Sequence, residues 1–222
     1  MTTIDDQSTA AHAAPDTKAA DAAAAAAANP ALVGVPTFVI GSVALGLYLV
    51  GFTGTASTAL VGMVPILFMC TGIGQLVATG WAIKTGAGPV AAIFGIFGGF
   101  WLSFAVLATA LGNDWFGATS ADEMVASGAQ QTFLLTWLIG VVVLTLVSLR
   151  LPLVFTLLFV LVAVALLLVL LAFVFGGSTT LLFFGGIAVF AFTLVGVYLF
   201  GDAMGQATGA KPLPMGKPIL GG

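Results

Sequence analysis

The chain has 222 residues, 60% of them hydrophobic and only 6% charged, with a formal net charge of -3. A soluble globular domain carries about 25% charged residues, and a nucleic-acid binder needs a basic footprint. The composition therefore excludes an ordinary soluble enzyme, a disordered chain and a nucleic-acid partner. Its mean hydropathy of +1.21 indicates a polytopic membrane protein. The apolar runs are continuous rather than alternating, which excludes a transmembrane β-barrel.

Residues 1–28 are Ala-rich, with Asp5, Asp6, Asp16 and Asp21 set against Lys18 and no hydrophobic run ahead of the alanines. They read as a disordered or transiently helical tail, and not as a secretory signal. Six apolar runs follow: Val33–Val50, Leu60–Ile83, Val90–Leu111, Phe133–Leu149, Leu153–Phe175 and Leu181–Phe200. A spanning helix needs about 20 apolar residues, so residues 29–205 are expected to form an all-α bundle of six transmembrane helices. Residues 206–222 are a C-terminal tail. Turn-forming residues separate the runs. The weakest break is Arg150–Pro152, and a charged Arg is costly at a bilayer centre, so runs four and five read as a tight hairpin.

The basic residues are Lys18, Lys84, Arg150, Lys211 and Lys217. With six spans they all fall on one side, in the N-tail, loops 2–3 and 4–5, and the C-tail. The positive-inside rule places both termini in the cytoplasm. Asp114, Asp122 and Glu123 fall in the opposite loop 3–4, where Trp115 and Phe116 suit the interface.

No Asp, Glu, Lys, Arg or His lies inside any of the six runs. An intramembrane protease or a side-chain proton relay would need one. His12 and Cys70 have no companions for a metal cluster, and Ser and Thr lack a base to activate them. No enzyme, metal or cofactor is expected. What remains is a solute path or a scaffold held by helix packing.

Several residues suit a path, each with a plainer alternative. Asn29–Pro30 precedes the first run as N-cap and first helical residue; a helix starting there turns its positive dipole end inward, where it can receive a carboxylate. Gln75 is an amide in the second run and must pair with another helix or face water. Phe97, Phe100 and Trp101 cluster in the third run, as bundle core or as an apolar constriction. Gly95 and Gly99 form a GxxxG pair, and Gly72, Gly74, Gly98, Gly185 and Gly186 add small positions, for close helix packing or to leave a lumen.

Five stretches in order carry a resemblance. Ala28-Asn29-Pro30-Ala31-Leu32-Val33-Gly34-Val35 resembles the Asn-Pro-Ala-Pro-Leu-Gly-Leu signature of the acetate uptake transporter family, which includes the bacterial succinate–acetate permease. Gly72-Ile73-Gly74-Gln75, Gly98-Gly99-Phe100-Trp101-Leu102, Phe133-Leu134-Leu135-Thr136-Trp137 with Ser148-Leu149-Arg150, and Leu213-Pro214-Met215-Gly216 resemble its further motifs. The resemblance covers about Ala28 to Gly216. It implies a six-helix protomer of a hexamer, each protomer with its own path for acetate and, in some members, succinate. It also implies an apolar constriction of two aromatics and a leucine, falling on Phe38, Phe97 and Val162, with Leu161 as the register alternative. An inner anion site would fall on Asn29 and its neighbouring backbone at Pro30, and Asp202 would be the inner-end carboxylate; the residues' own reading adds Gln75 and Trp101 as lining the path. The chain departs from the family pattern at Leu32, Ala82, Ala87–Pro89, Ile96 and Phe97, where a Tyr hydroxyl and a Ser are lost. These departures favour keeping two alternatives in view: a non-transporting scaffold or sensor, and a channel for a small neutral solute.

Overall fold

The computed structural model describes residues 28–52, 56–117 and 122–221. The expected N-terminal tail lies outside them, apart from Ala28. Six helices are long and apolar enough to span a membrane: α1 Ala31–Leu49, α2 Leu60–Lys84, α3 Gly88–Gly112, α4 Glu123–Ser148, α5 Leu153–Val174 and α6 Thr179–Ala207. They run alternately up and down. α1 packs between α2 and α6, α3 covers α2, and α5 links α6 to α4. The backbones of α3 and α4 barely meet, and aromatic rings span the gap: Phe100 lies 5.8 Å from Phe133 and 5.5 Å from Trp137, and Phe104 lies 5.7 Å from Phe133.

Close approach along α1 depends on glycine. A Cβ on Gly41 would collide with the Thr71 side chain of α2, and one on Gly34 with the Phe94 ring of α3. On Gly74 it would sit 2.5 Å from Thr37 Cγ2. Gly72, Gly185 and Gly186 are equally crowded, whereas a Cβ at Gly95 or Gly99 would make ordinary contacts at 3.5 Å. The GxxxG pair is thus the relaxed one, and the tight seams are α1–α2, α1–α3, α2–α3, α1–α6 and α5–α6.

α2 departs from a plain helix. Ala56–Pro65 is α-helical, Ile66–Gly72 is a π-helix, and Ile73–Lys84 is α-helical again. Pro65 has no N–H for the carbonyl four residues earlier, which loosens the ladder just ahead of the π stretch. The buried residues Met63, Leu67, Thr71 and Gln75 recur strictly every fourth position. At 3.6 residues per turn such a stripe drifts around the helix; the wider i→i+5 turn cancels the drift and keeps all four facing the bundle.

Two boundaries differ from those expected. α4 begins at Glu123, ten residues before Phe133, because Asp122 Oδ1 accepts from the amides of Met124 and Val125 at 3.0 and 3.2 Å. Its first turns are polar and escape a hydropathy reading. α6 continues past Phe200 to Ala207, carrying Asp202 in its last turns. The α4–α5 hairpin is tight as expected: Thr156 Oγ1 donates to the Ser148 carbonyl at 2.8 Å, and Leu151 N–H to the same carbonyl at 2.8 Å.

The segment after α6 lies across one end of the bundle. Leu213 N–H donates to Asp202 Oδ1 at 2.7 Å, Tyr198 Oη to the Pro214 carbonyl at 2.8 Å, Val154 N–H to the Met215 carbonyl at 3.1 Å, and Leu220 N–H to the Leu149 carbonyl at 2.9 Å. Lys84, Arg150, Lys211 and Lys217 are all exposed at this basic end.

Candidate functional site

Phe38 and Phe97 meet at the centre of the bundle. Their ring centroids are 5.3 Å apart at 70°, an edge-to-face contact, the geometry that aligns a ring's positive edge with a negative face. Phe192 of α6 lies 5.5 Å from Phe38, and Phe159 of α5 stacks on Phe97 at 6.0 Å. Trp101, one turn along α3, lies 6.2 Å from Phe38. All five are buried. Gly196 faces the same place from α6: a Cβ there would be 3.0 Å from Val39 Cγ2 and in ordinary contact with the Phe38 ring.

A cavity lies on each side of this aromatic cluster. The larger, about 780 Å³, faces the end opposite the lysines and is lined by Tyr48, Trp101, Asn113, Gln130 and Trp137 among others. The smaller, about 240 Å³, faces the basic end and is lined by Asn29, Gln75, Phe94, Phe159, Asp202 and Met215 among others. Phe38 and Phe97 are the two described residues that line both. The two cavities are separate and adjoin at these rings.

Asn29, Gln75 and Asp202 line the smaller cavity, while Tyr48, Thr109, Asn113 and Gln130 line the larger. Gln75 is 1% exposed; its Nε2 donates to the Gly34 carbonyl at 2.6 Å, while Oε1 has no partner among the described residues. Asp202 accepts through both oxygens, from Leu213 N–H and, at 2.7 Å, from Gln206 Nε2. It pins the C-terminal segment beside the cavity. Asn29 Oδ1 accepts from Ala31 N–H at 2.9 Å. The amides of Leu32 and Val33 donate to the carbonyls of Asn29 and Pro30. The first turn of α1 is therefore closed on itself, and offers a solute its dipole and the Asn29 amide group rather than free N–H groups.

The structure brings Phe38, Phe97, Asn29, Gln75 and Asp202 to the smaller cavity, and Trp101 and Val162 to the larger one beside Phe38 and Phe97. Pro30 is buried under the start of α1 and lines neither; Leu161 lines neither. Phe100 also lines the larger cavity, 5.0 Å from Trp101 and 5.5 Å from Trp137 of α4. Phe159 and Phe192 escape the sequence reading, and Met215 enters it only as part of the Leu213–Gly216 motif, with no place in the site. Phe192 shares one face of α6 with the buried Gly185, Val189 and Gly196, so a small-residue line gave a signal for it. Neither cavity is lined by His, Cys, Lys or Arg, and no group of three metal-ligating side chains occurs among the described residues.

A comparison with curated proteins gives no match. Among solved structures the chain is similar to a bacterial acetate channel, SatP, with a TM-score of 0.70 at 21% identity over 85% of this chain and 98% of that one. At that identity the likeness shows the shared six-helix fold. The family model described as GPR1/FUN34/yaaH matches residues 11–209, nearly the whole chain, and this multi-pass membrane protein belongs to that family.

Proposed function

We propose that this protein is a channel or transporter for short-chain monocarboxylic acids, acetate first, with Phe38, Phe97 and Val162 as an apolar constriction in each protomer of a hexamer. The single observation that carries the reading is the pair of cavities that meet at Phe38 and Phe97. A scaffold has no need of a route approaching the midplane from both ends, and the lack of His, Cys and basic residues along both cavities supports a path rather than an enzyme. The acetate channel of the same fold supports the solute. The basic residues at one end support cytoplasmic termini in a plasma membrane. Asn29 and Asp202 line the cavity taken as the inner mouth, with Pro30 buried behind Asn29, and Gln75 and Trp101 flank the path.

An ionised carboxylate moved between two phenyl rings loses its hydration without an opposing charge, which costs several kcal/mol or more. Acids of this class titrate at about pH 4–5, so uptake rises as external pH falls. Radiolabelled acetate uptake into proteoliposomes is expected to exceed that into empty liposomes at about pH 5 and to decline towards about pH 7. No protein-dependent uptake at the lower pH overturns the reading. Competition by propionate and succinate but not glycerol separates it from a channel for small neutral solutes, the second reading, which the apolar lining also favours.

A further inference from the structure

We propose that the larger cavity is a binding site for a neutral single-chain amphiphile, a medium-chain alcohol, and that its occupancy blocks passage from that side. The block rests on the transport reading above; the binding does not. The cavity holds about 780 Å³, far more than a two-carbon acid fills and within the range of about 300–1,000 Å³ usual for small-molecule sites. It is also long. Its lining follows α3 from Ile96 to Asn113 and α4 from Ala126 to Val141, about 22–25 Å of helix. Phe38 and Phe97 close it at the inner end.

Polarity is graded along this length. The wall is apolar: Leu45, Phe100, Phe104, Trp137, Val169 and Phe173 line it and are only partly buried, and such a wall gives water few partners. The polar side chains that line it gather at the outer end. Tyr48 is near the end of α1, Thr109 and Asn113 at the end of α3, and Gln130 near the start of α4. Asn113 Nδ2 donates to the Thr109 carbonyl at 2.9 Å, and Gln130 Nε2 to the Ala126 carbonyl at 3.3 Å. Each amide keeps its oxygen and a second N–H, which suits a hydroxyl because a hydroxyl both donates and accepts. No charged side chain lines the cavity. Asp114, Asp122 and Glu123 are exposed at the same end of the bundle, so a carboxylate head is repelled there. Each buried methylene of the tail strengthens binding about fourfold. That gain stops once the chain reaches Phe38 and Phe97, whereas partition into a bilayer has no such stop. The space the chain fills is the one an acid must cross.

The test uses the full chain in proteoliposomes, with Trp81→Phe and Trp115→Phe so that Trp137 reports from the cavity wall. Bromodecanol is expected to quench Trp137 fluorescence saturably, and excess decanol to reverse the quenching; bromine dissolved only in lipid does neither. Ala108 lines the cavity, and Ala108→Phe is expected to weaken bromodecanol binding about tenfold by filling part of the space. Should that variant fail to fold, the chain-length series needs no further substitution: affinity rises about fourfold per methylene from octanol upward and then levels off. Decanoate, ionised at about pH 8, is expected to bind about tenfold more weakly than decanol. Decanol is expected to halve acetate uptake at the concentration that half-saturates the site. Quenching that is neither saturable nor reversible, a chain-length series without a limit, or tighter binding of decanoate or decyltrimethylammonium than of decanol overturns the site. Saturable binding that leaves acetate uptake unchanged overturns the block. Absence of any acetate uptake with saturable binding intact sinks the transport reading and leaves the site standing.

Discussion

Phe97 touches both cavities, stacks on Phe159 and meets Phe38 edge-on, so truncating it joins the two spaces. Phe97→Ala is expected to cost about 3 kcal/mol of stability as a buried ring is lost, and to raise uptake of propionate and larger acids relative to acetate; an unchanged ratio removes Phe97 from the constriction. Two glycines make a paired prediction. Gly41→Ala collides with Thr71 and is expected to lower the unfolding temperature, an overpacking cost of about 1–3 kcal/mol. Gly95→Ala meets only ordinary contacts, and gains up to about 1 kcal/mol of helix propensity. Thermal unfolding of the two variants in micelles checks the order. Residues of this kind differ in legibility. Phe38 and Phe97 stand in short motifs with recognisable neighbours. Phe159 lies in a helix of Leu, Val, Phe and Ala interrupted by Thr156 alone, where too little apolar–polar contrast marks the inward face, and only three dimensions place it on Phe97.

Among the elements, the C-terminal segment behaves as a strap with two side-chain fastenings, the Tyr198 hydroxyl on the Pro214 carbonyl and a carboxylate accepting a backbone amide: Asp202 Oδ1 takes Leu213 N–H. Asp202→Ala is expected to speed exchange of the Leu213 amide about tenfold, the loss of one charge-assisted bond, while amides in the middle of α6 exchange as before. Hydrogen exchange with mass spectrometry reads both; unchanged Leu213 exchange means the strap is held by its other contacts. Helix number and the α4–α5 hairpin were legible because bilayer thickness and the cost of buried charge act directly on sequence. The start of α4 was not, since its first turns are polar and only the Asp122 cap identifies them. The π stretch in α2 was hidden for another reason. Its signal is a buried period of four, and burial is not visible in a segment whose lipid-facing residues are as apolar as its core.

At the level of the whole molecule, the exposed bases Lys84, Arg150, Lys211 and Lys217 share one end, and Asp114, Asp122 and Glu123 stand at the other. In a Cys70→Ser background, Asp114→Cys is expected to react with an impermeant maleimide added to intact cells, and Lys217→Cys only after permeabilisation. The reverse pattern inverts the proposed orientation. The strap adds something that no single span reveals. Met215 forms part of the wall of the smaller cavity, and the ribosome makes it after all six spans. A nascent chain can hold its complete bundle in the bilayer while that wall is still missing. The smaller cavity is thus completed in the last moments of synthesis, and a newborn chain leaves it unwalled until its tail arrives.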